Sequence, residues 1–205
     1  MTPANDLIQV SARLRYWQAY DANVKADLFS TAVETSDGIL IVDPIPLRQE
    51  LLQQLRSARS IAGIFVTSAN HCRAAIDFGK KFDAPILAHN ETCATCELTS
   101  ARPVENAEVF AANACAIAIV GAAPGEMAIH HDQDGGALII GDALINFEPY
   151  GFTFLPPKYC SDAKEMRRSL RHLLDYDFER MLFAHGTPLM HSARKKLEAL
   201  LQTNE

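Results

Sequence analysis

The sequence of 205 residues lacks several features that would otherwise direct its reading. Its longest apolar stretches, such as "ACAIAIVGAA" (114–123), reach about half the ~20 residues a bilayer span requires. The first residues, "MTPANDLIQV", have no basic start followed by an apolar run, so no cleaved secretion signal is expected. Clustered positive charge is also missing. With a formal charge of −6 and scattered Lys and Arg, the chain has no footprint for nucleic acid. Cysteine is sparse and odd in number, five in a chain large enough to fold without staples, so reduced thiols are expected rather than a disulfide framework. There is no Gly/Ser linker, low-complexity tract or short-period repeat. These absences predict a cytoplasmic protein of one domain, with no membrane or nucleic-acid partner. A small molecule or another protein is the expected partner.

What is present is a globular composition, 48% hydrophobic and 21% charged, with patterning that switches between strand and helix. Ile8, Val10, Ala12, Leu14 and Tyr16 alternate with more polar residues and predict a half-buried strand. "LFSTAVET" (28–35) and "GILIVDP" (38–44) predict two more, joined at Ser36 and Asp37. Leu47, Leu51, Leu52 and Leu55 share one face of a helix over 47–58, and "IAGIFVT" (61–67) reads as a buried strand. A helix over about 71–82, the strand "PILAH" (85–89) and a short helical piece near 90–98 follow. From about residue 103 four short strands are predicted, within "AEVF", "CAIAIVG", "EMAIHH" and "GALIIGD". A helix over 161–177, beginning with a capping Ser161 and acidic Asp162, the strand "RMLFAHG" and a helix over about 188–201 complete the chain. Two strand-rich blocks, each ending in strand and helix alternation, predict an α/β fold of two mixed sheets flanked by helices.

The polar residues that end apolar runs are Asp43, the cluster 68–73, the turn "GAAPGE" (121–126), "GDAL" (141–144) and "AHGTPL" (184–189). Strand ends are where α/β folds build sites. In this order and spacing, "GILIVDP", "TSANHCR", "GAAPGE", "GDAL" and "AHGTPL" resemble the motifs of the metallo-β-lactamase superfamily, over about residues 28–190. The resemblance implies an αββα sandwich with a one- or two-metal site at one edge, used for hydrolysis of esters, amides, thioesters or phosphodiesters.

The resemblance also says which positions would hold metal. The "H-x-H-x-D-H" turn falls on Ser68, Asn70, Cys72 and Arg73, the loop histidine on Ala122, and the last two ligands on Asp142 and His185. Serine, an amide and a methyl do not replace three imidazoles, so the first metal is expected to be absent. Cys72, Asp142 and His185 would be an acceptable set for one zinc with an open position. Arg73 opposes that ion, or replaces it by pairing with Asp142. The expectation is a metal-free site that keeps a pocket for a ligand or partner, lined by Ser68, Asn70, His71, Arg73 and Ala122. The alternative is a mononuclear hydrolase on Cys72, Asp142 and His185.

Other signals carry plainer readings. His71 sits in a slot that the family leaves variable, where an exposed or capping side chain is expected. Cys72 is either a small buried hydrophobe or a nucleophile served by His185 and Asp142. Cys93 and Cys96 form one isolated CxxC and are expected to be packed or surface thiols. His130 and His131 are adjacent on a strand and face opposite sides, so at most one reaches the site. The aromatic segment "FEPYGFTFLPPKYC" (147–160) is expected to wall a pocket or to make a homo-oligomer contact.

Overall fold

A computed structural model describes residues 1–203. The alternation over 8–16 folds as two strands rather than one. β1 (Ile8–Gln9) pairs antiparallel with β2 (Leu14–Asp21), and the turn between them is held by Asp134, which accepts from Ser11 Oγ at 2.8 Å and Arg13 N at 3.1 Å. A tight hairpin carries the same period through both arms, so the pattern alone did not reveal the break.

β3 (Ala26–Thr35), β4 (Gly38–Val42), β5 (Ile61–Val66), β6 (Ile86–Ala88) and β7 (Arg102–Pro103) extend this into a seven-stranded sheet in sequential order. Its first half is antiparallel and β4 to β7 run parallel. The crossovers are α1 (Gln49–Ala58), α2 (Ala75–Phe82) and α3 (Asn90–Thr95). The second sheet is formed by β8 (Val109–Ala111), β9 (Ala114–Ala118), β10 (Met127–His131) and β11 (Ala137–Ile140), with a later strand on its far edge. β12 (Leu144–Phe147) and β13 (Gly151–Phe154), the second of them from the aromatic segment, pair as an antiparallel hairpin. β14 (Arg180–Phe183) is the far-edge strand and pairs parallel with β11. α4 (Ala163–Leu170) and α5 (Ala193–Gln202) cover this sheet. Asp162, not Ser161, caps α4, accepting from Lys164 N at 2.9 Å and Glu165 N at 3.0 Å.

Period-2 patterning explains the layers. In β4, Ile39 and Ile41 face the α1 and α2 side with Leu52, Leu55 and Phe78, while Leu40 and Val42 face the second sheet. In β11, Ala137 and Ile139 meet the first sheet, and Leu138 and Ile140 meet α4 and α5. Each strand is thus apolar on both faces, as in a sandwich covered by helices. Each large aliphatic side chain so buried contributes roughly 1.5–3 kcal/mol. Trp17, wholly buried, keeps its indole N–H bonded to Ile45 O at 3.0 Å.

The helix predicted from about 71 is instead a single 3₁₀ turn, Ala69–His71, followed by α2 from Ala75. Arg73 adopts φ 33°, a left-handed conformation that breaks the helix between them. No helix among the described residues is long and apolar enough to cross a membrane.

Candidate functional site

The site gathers at one edge, where four strand C-termini and one strand N-terminus meet. Asp43 follows β4, residues 67–73 follow β5, Asp142 follows β11, His185 follows β14, and Glu126 precedes β10. Asp43 is itself left-handed at φ 49°. Its Oδ1 accepts Thr67 N–H at 2.8 Å and its Oδ2 accepts the Thr67 hydroxyl at 2.6 Å. Two non-glycine residues held at positive φ within one cluster are the kind of strain that surrounding contacts must over-determine.

His71 lies at the centre, 1% exposed. Its Nδ1 is 2.8 Å from Thr67 Oγ1 and 3.1 Å from Asp43 Oδ2, and its Nε2 is 3.1 Å from Asp142 Oδ1. The single hydroxyl proton of Thr67 is committed to Asp43, so Thr67 accepts from His71 and Nδ1 carries a proton. Nε2 faces a carboxylate and carries the other. The ring is therefore an imidazolium between two carboxylates. Burial works against that charge, but Asp142 and Asp43 outweigh it and push the His71 pKa up to about 10. Burial likewise opposes ionisation of Asp142 and Asp43, and the charge and hydrogen bond of His71 overcome it, so both carboxyls are held below their ordinary range. The expectation of an exposed or capping His71 is thus corrected. The turn aims the ring inward, and Asp43 and Asp142 are the strand-end acids that receive it.

Arg73 also turns inward, but not onto Asp142. Its guanidinium donates to Phe29 O at 2.8 Å, Asp43 O at 3.4 Å and Ala184 O at 3.5 Å, and it lies 3.5 Å from His185 Nε2. The cation paired with Asp142 is His71. Asn70, exposed at the surface, donates from Nδ2 to Asp142 Oδ2 at 2.8 Å. Burial, then the neighbouring His71 and Arg73 charges, lower the His185 pKa to about 4, so this ring is neutral. Beside a permanent donor, its Nε2 is the acceptor. Ser68 is buried with Oγ 3.4 Å from His71 Nδ1, and Ala122 belongs to the core beneath α4 and α5.

Cys72 does not join this group. Its sulfur is bonded to Cys96 across a Cα–Cα distance of 6.5 Å, which corrects both the all-thiol expectation and the assignment of Cys72 as ligand or nucleophile. A disulfide sulfur has neither the thiolate charge that binds zinc nor the lone thiolate that attacks carbon. The cause is placement: Cys72 follows the 3₁₀ turn and packs with α3 against the helix-side core. Neither His130 nor His131 reaches the site; they bond Asp177 O at 2.8 Å and Glu34 O at 3.1 Å respectively.

Glu126, passed over in the sequence, is buried beside the cluster. Its Oε1 accepts Ala143 N–H at 3.1 Å, while Oε2 has no partner among the described residues. Burial and then Asp142 push its pKa up to about 8, so it is protonated at neutral pH. Gly141 makes room for it, since a Cβ there would stand 2.6 Å from both Glu126 Oε1 and Thr67 Oγ1. Two cations, His71 and Arg73, thus face two carboxylates, Asp43 and Asp142, and the cluster is neutral as it stands.

One atom each from His71, Asp142 and His185 lies within 4.8 Å of the others, a grouping that a metal ion can use. In this arrangement the three donor atoms already have partners within the protein. Both His71 nitrogens are donors, the His185 lone pair is met by Arg73, and a guanidinium keeps its charge at every working pH.

Two sheets packed face to face, helices on both outer sides and a polar cluster at one edge define an αββα sandwich. The chain belongs to the metallo-beta-lactamase superfamily, whose family model matches residues 10–204. The fold is similar to crystal structures of DIM-1 metallo-beta-lactamase (TM-score 0.76, 14% identity, 99% of each chain covered) and of a metallo beta lactamase from Erythrobacter litoralis with beta mercaptoethanol in its active site (0.72, 14%, 96% of each). It is also similar to TTHA1623 in a di-iron-bound form (0.64, 21%, 89% of this chain and 96% of that one). At these identities the likeness is one of fold. No curated protein matches the sequence.

Proposed function

We propose that this chain is a binding member of the superfamily, in which two resident cations, His71 and Arg73, stand in for metal charge, and the polar edge at the strand ends, where Asn70 is exposed, takes a small ligand or a segment of a partner protein. The observation that carries this reading is His71, held between Asp43 and Asp142 at 3.1 Å each. Those carboxylates are already neutralised, so an incoming divalent ion would have to displace a His71 proton to gain Asp142 and move Arg73 to gain His185. Without a metal-bound hydroxide the family's hydrolytic chemistry has no nucleophile. The test is metal analysis of protein purified without chelator, paired with a crystal structure grown in zinc. Less than about a tenth of an equivalent is expected, since a structural-strength site would retain its ion. Zinc bound among His71, Asp142 and His185 would overturn the reading.

That outcome would establish a second reading, favoured by the convergence of those three donor atoms: a mononuclear hydrolase with His71 in place of Cys72. A single ion there would supply Lewis acidity toward a carbonyl or phosphoryl oxygen. It requires His71 to lose a proton and Arg73 to leave His185. Zinc titration by calorimetry, with proton release read in two buffers, separates the two readings: one equivalent bound with release of a proton supports the hydrolase, and no heat supports the binding protein.

A further inference from the structure

Three cysteines lie on the helix side of the site and take no part in the reading above. Cys72, Cys93 and Cys96 all pack against the same helix-side core, and Cys72 is bonded to Cys96. Cys93 lies on α3 three residues before Cys96, the residue that ends the helix, a spacing at which helical side chains are neighbours, and its Sγ donates to Ala88 O at 3.7 Å. A surface depression of about 550 Å³ opens over this helix, lined by Asn90, Cys93, Ala94, Glu97, Leu98 and Thr99, so solvent thiols have a route to Cys93. On its other side the disulfide holds the 3₁₀ turn. Cys72 lies between His71 and Arg73, the two cations of the site, and Cys96 Sγ lies 3.3 Å from Ala69 O at the start of the turn.

We propose that Cys72, Cys93 and Cys96 form a thiol–disulfide exchange site, in which Cys93 displaces Cys72 from Cys96 and so unties the turn that carries His71 and Arg73. The step is balanced within the chain. Cys93 loses its proton and its thiolate attacks Cys96 Sγ; the Cys93–Cys96 bond forms, the Cys72–Cys96 bond breaks, and Cys72 leaves as a thiolate that takes up a proton. Nothing is oxidised or reduced overall. A dithiol entering the depression then reduces the Cys93–Cys96 bond, itself becoming a disulfide, and leaves all three cysteines as thiols. In the tied form the turn is anchored covalently to α3. In the untied form only hydrogen bonds and packing hold it. The effect on the site rests on the reading of His71 and Arg73 as its resident cations; the exchange chemistry does not.

The test is disulfide mapping. Protein purified without reductant is quenched in acid, alkylated, digested unreduced and analysed by mass spectrometry. Wild type is expected to show Cys72 linked to Cys96 with Cys93 alkylated. At pH 8.5 Cys72 should become alkylated at least ten-fold faster in wild type than in Cys93→Ser, which keeps the native bond but lacks the attacking thiol. Cys72→Ser treated with oxidised glutathione should link Cys93 to Cys96. Equal Cys72 alkylation in wild type and Cys93→Ser would overturn the exchange, and it decides the matter even where Cys72→Ser fails to fold. The imidazole resonances of His71, followed by NMR, should move on untying in wild type and stay fixed in Cys93→Ser. Resonances unmoved after exchange would overturn the tether. Zinc bound at the site would overturn the functional reading and leave the mapping result standing.

Discussion

Replacing His71 with glutamine tests the cluster most directly. The amide keeps polar atoms near Thr67 and Asp142 but removes the charge that Asp43 and Asp142 share. A histidine whose pKa rises from 6.5 to about 10 on folding contributes up to about 5 kcal/mol of stability, at ~1.4 kcal/mol per tenfold. Removing one partner of a buried pair independently suggests about 3–5 kcal/mol. Taking about 4 kcal/mol, and ~2–4 °C per kcal/mol for a chain of this size, His71→Gln should melt roughly 8–16 °C below wild type. The pH dependence gives a sharper signature. The folded-state pKa is raised, so the contribution is fully present below pH 6.5 and is lost as pH rises toward about 10. The gap between variant and wild type should therefore be widest near pH 6 and close by about pH 10. The assay is thermal melting by circular dichroism in chelator-containing buffer at several pH values. A variant that melts within about 2 °C of wild type at pH 6 would refute the imidazolium, as would a gap that does not narrow with pH.

Three further outcomes follow from the same geometry. Glu126→Gln should be neutral at pH 4.5 and stabilising at pH 8.5, because the raised carboxyl pKa of about 8 costs the folded state stability as pH rises from 4.5, and the amide does not ionise; urea titration at the two pH values reads this. Gly141→Ala should lose roughly 1–3 kcal/mol in the same urea assay, since its Cβ would press on Glu126 Oε1 and Thr67 Oγ1 at 2.6 Å. Arg73→Met should raise the His185 pKa above its present value of about 4, measured by histidine proton NMR, because it removes one of the two cations that oppose protonation there; an unchanged value would refute the contact.

The fold was legible because its information is local and repeated. Five strand-end motifs in order, and two-faced apolar strands such as Gly38–Val42, specify the sandwich without any single residue being decisive. The site was legible only as a place. Which side chain of the turn points inward depends on rotation, about 100° per residue in a helix, and on whether the turn continues. Arg73 at φ 33° stops it, which puts His71 inward and sends Cys72 toward α3. His71 therefore lies outside the positions that the motif marks. The Cys72–Cys96 bond spans 24 positions and has no local signature. Glu126 has a signal of a weaker kind: an acid opening the apolar run of β10, with Gly141 as the small residue that admits it.

A divalent ion and a pair of organic cations solve the same electrostatic problem, because either neutralises two carboxylates buried at the edge of a sandwich. They differ in what remains available. An ion keeps exchangeable coordination positions through which water or substrate is activated, whereas His71 and Arg73 spend their donors on fixed partners: Thr67, Asp43 and Asp142 for the first, and the Phe29 and Ala184 carbonyls for the second. On the proposed reading this exchanges reactivity for rigidity, and it is hard to reverse in one step. Restoring histidine at position 73 alone would leave the His71 imidazolium where an ion's charge would sit, and removing His71 alone would leave Arg73 against His185. On that reading a divalent ion enters only when both cations go and several ligands arrive together.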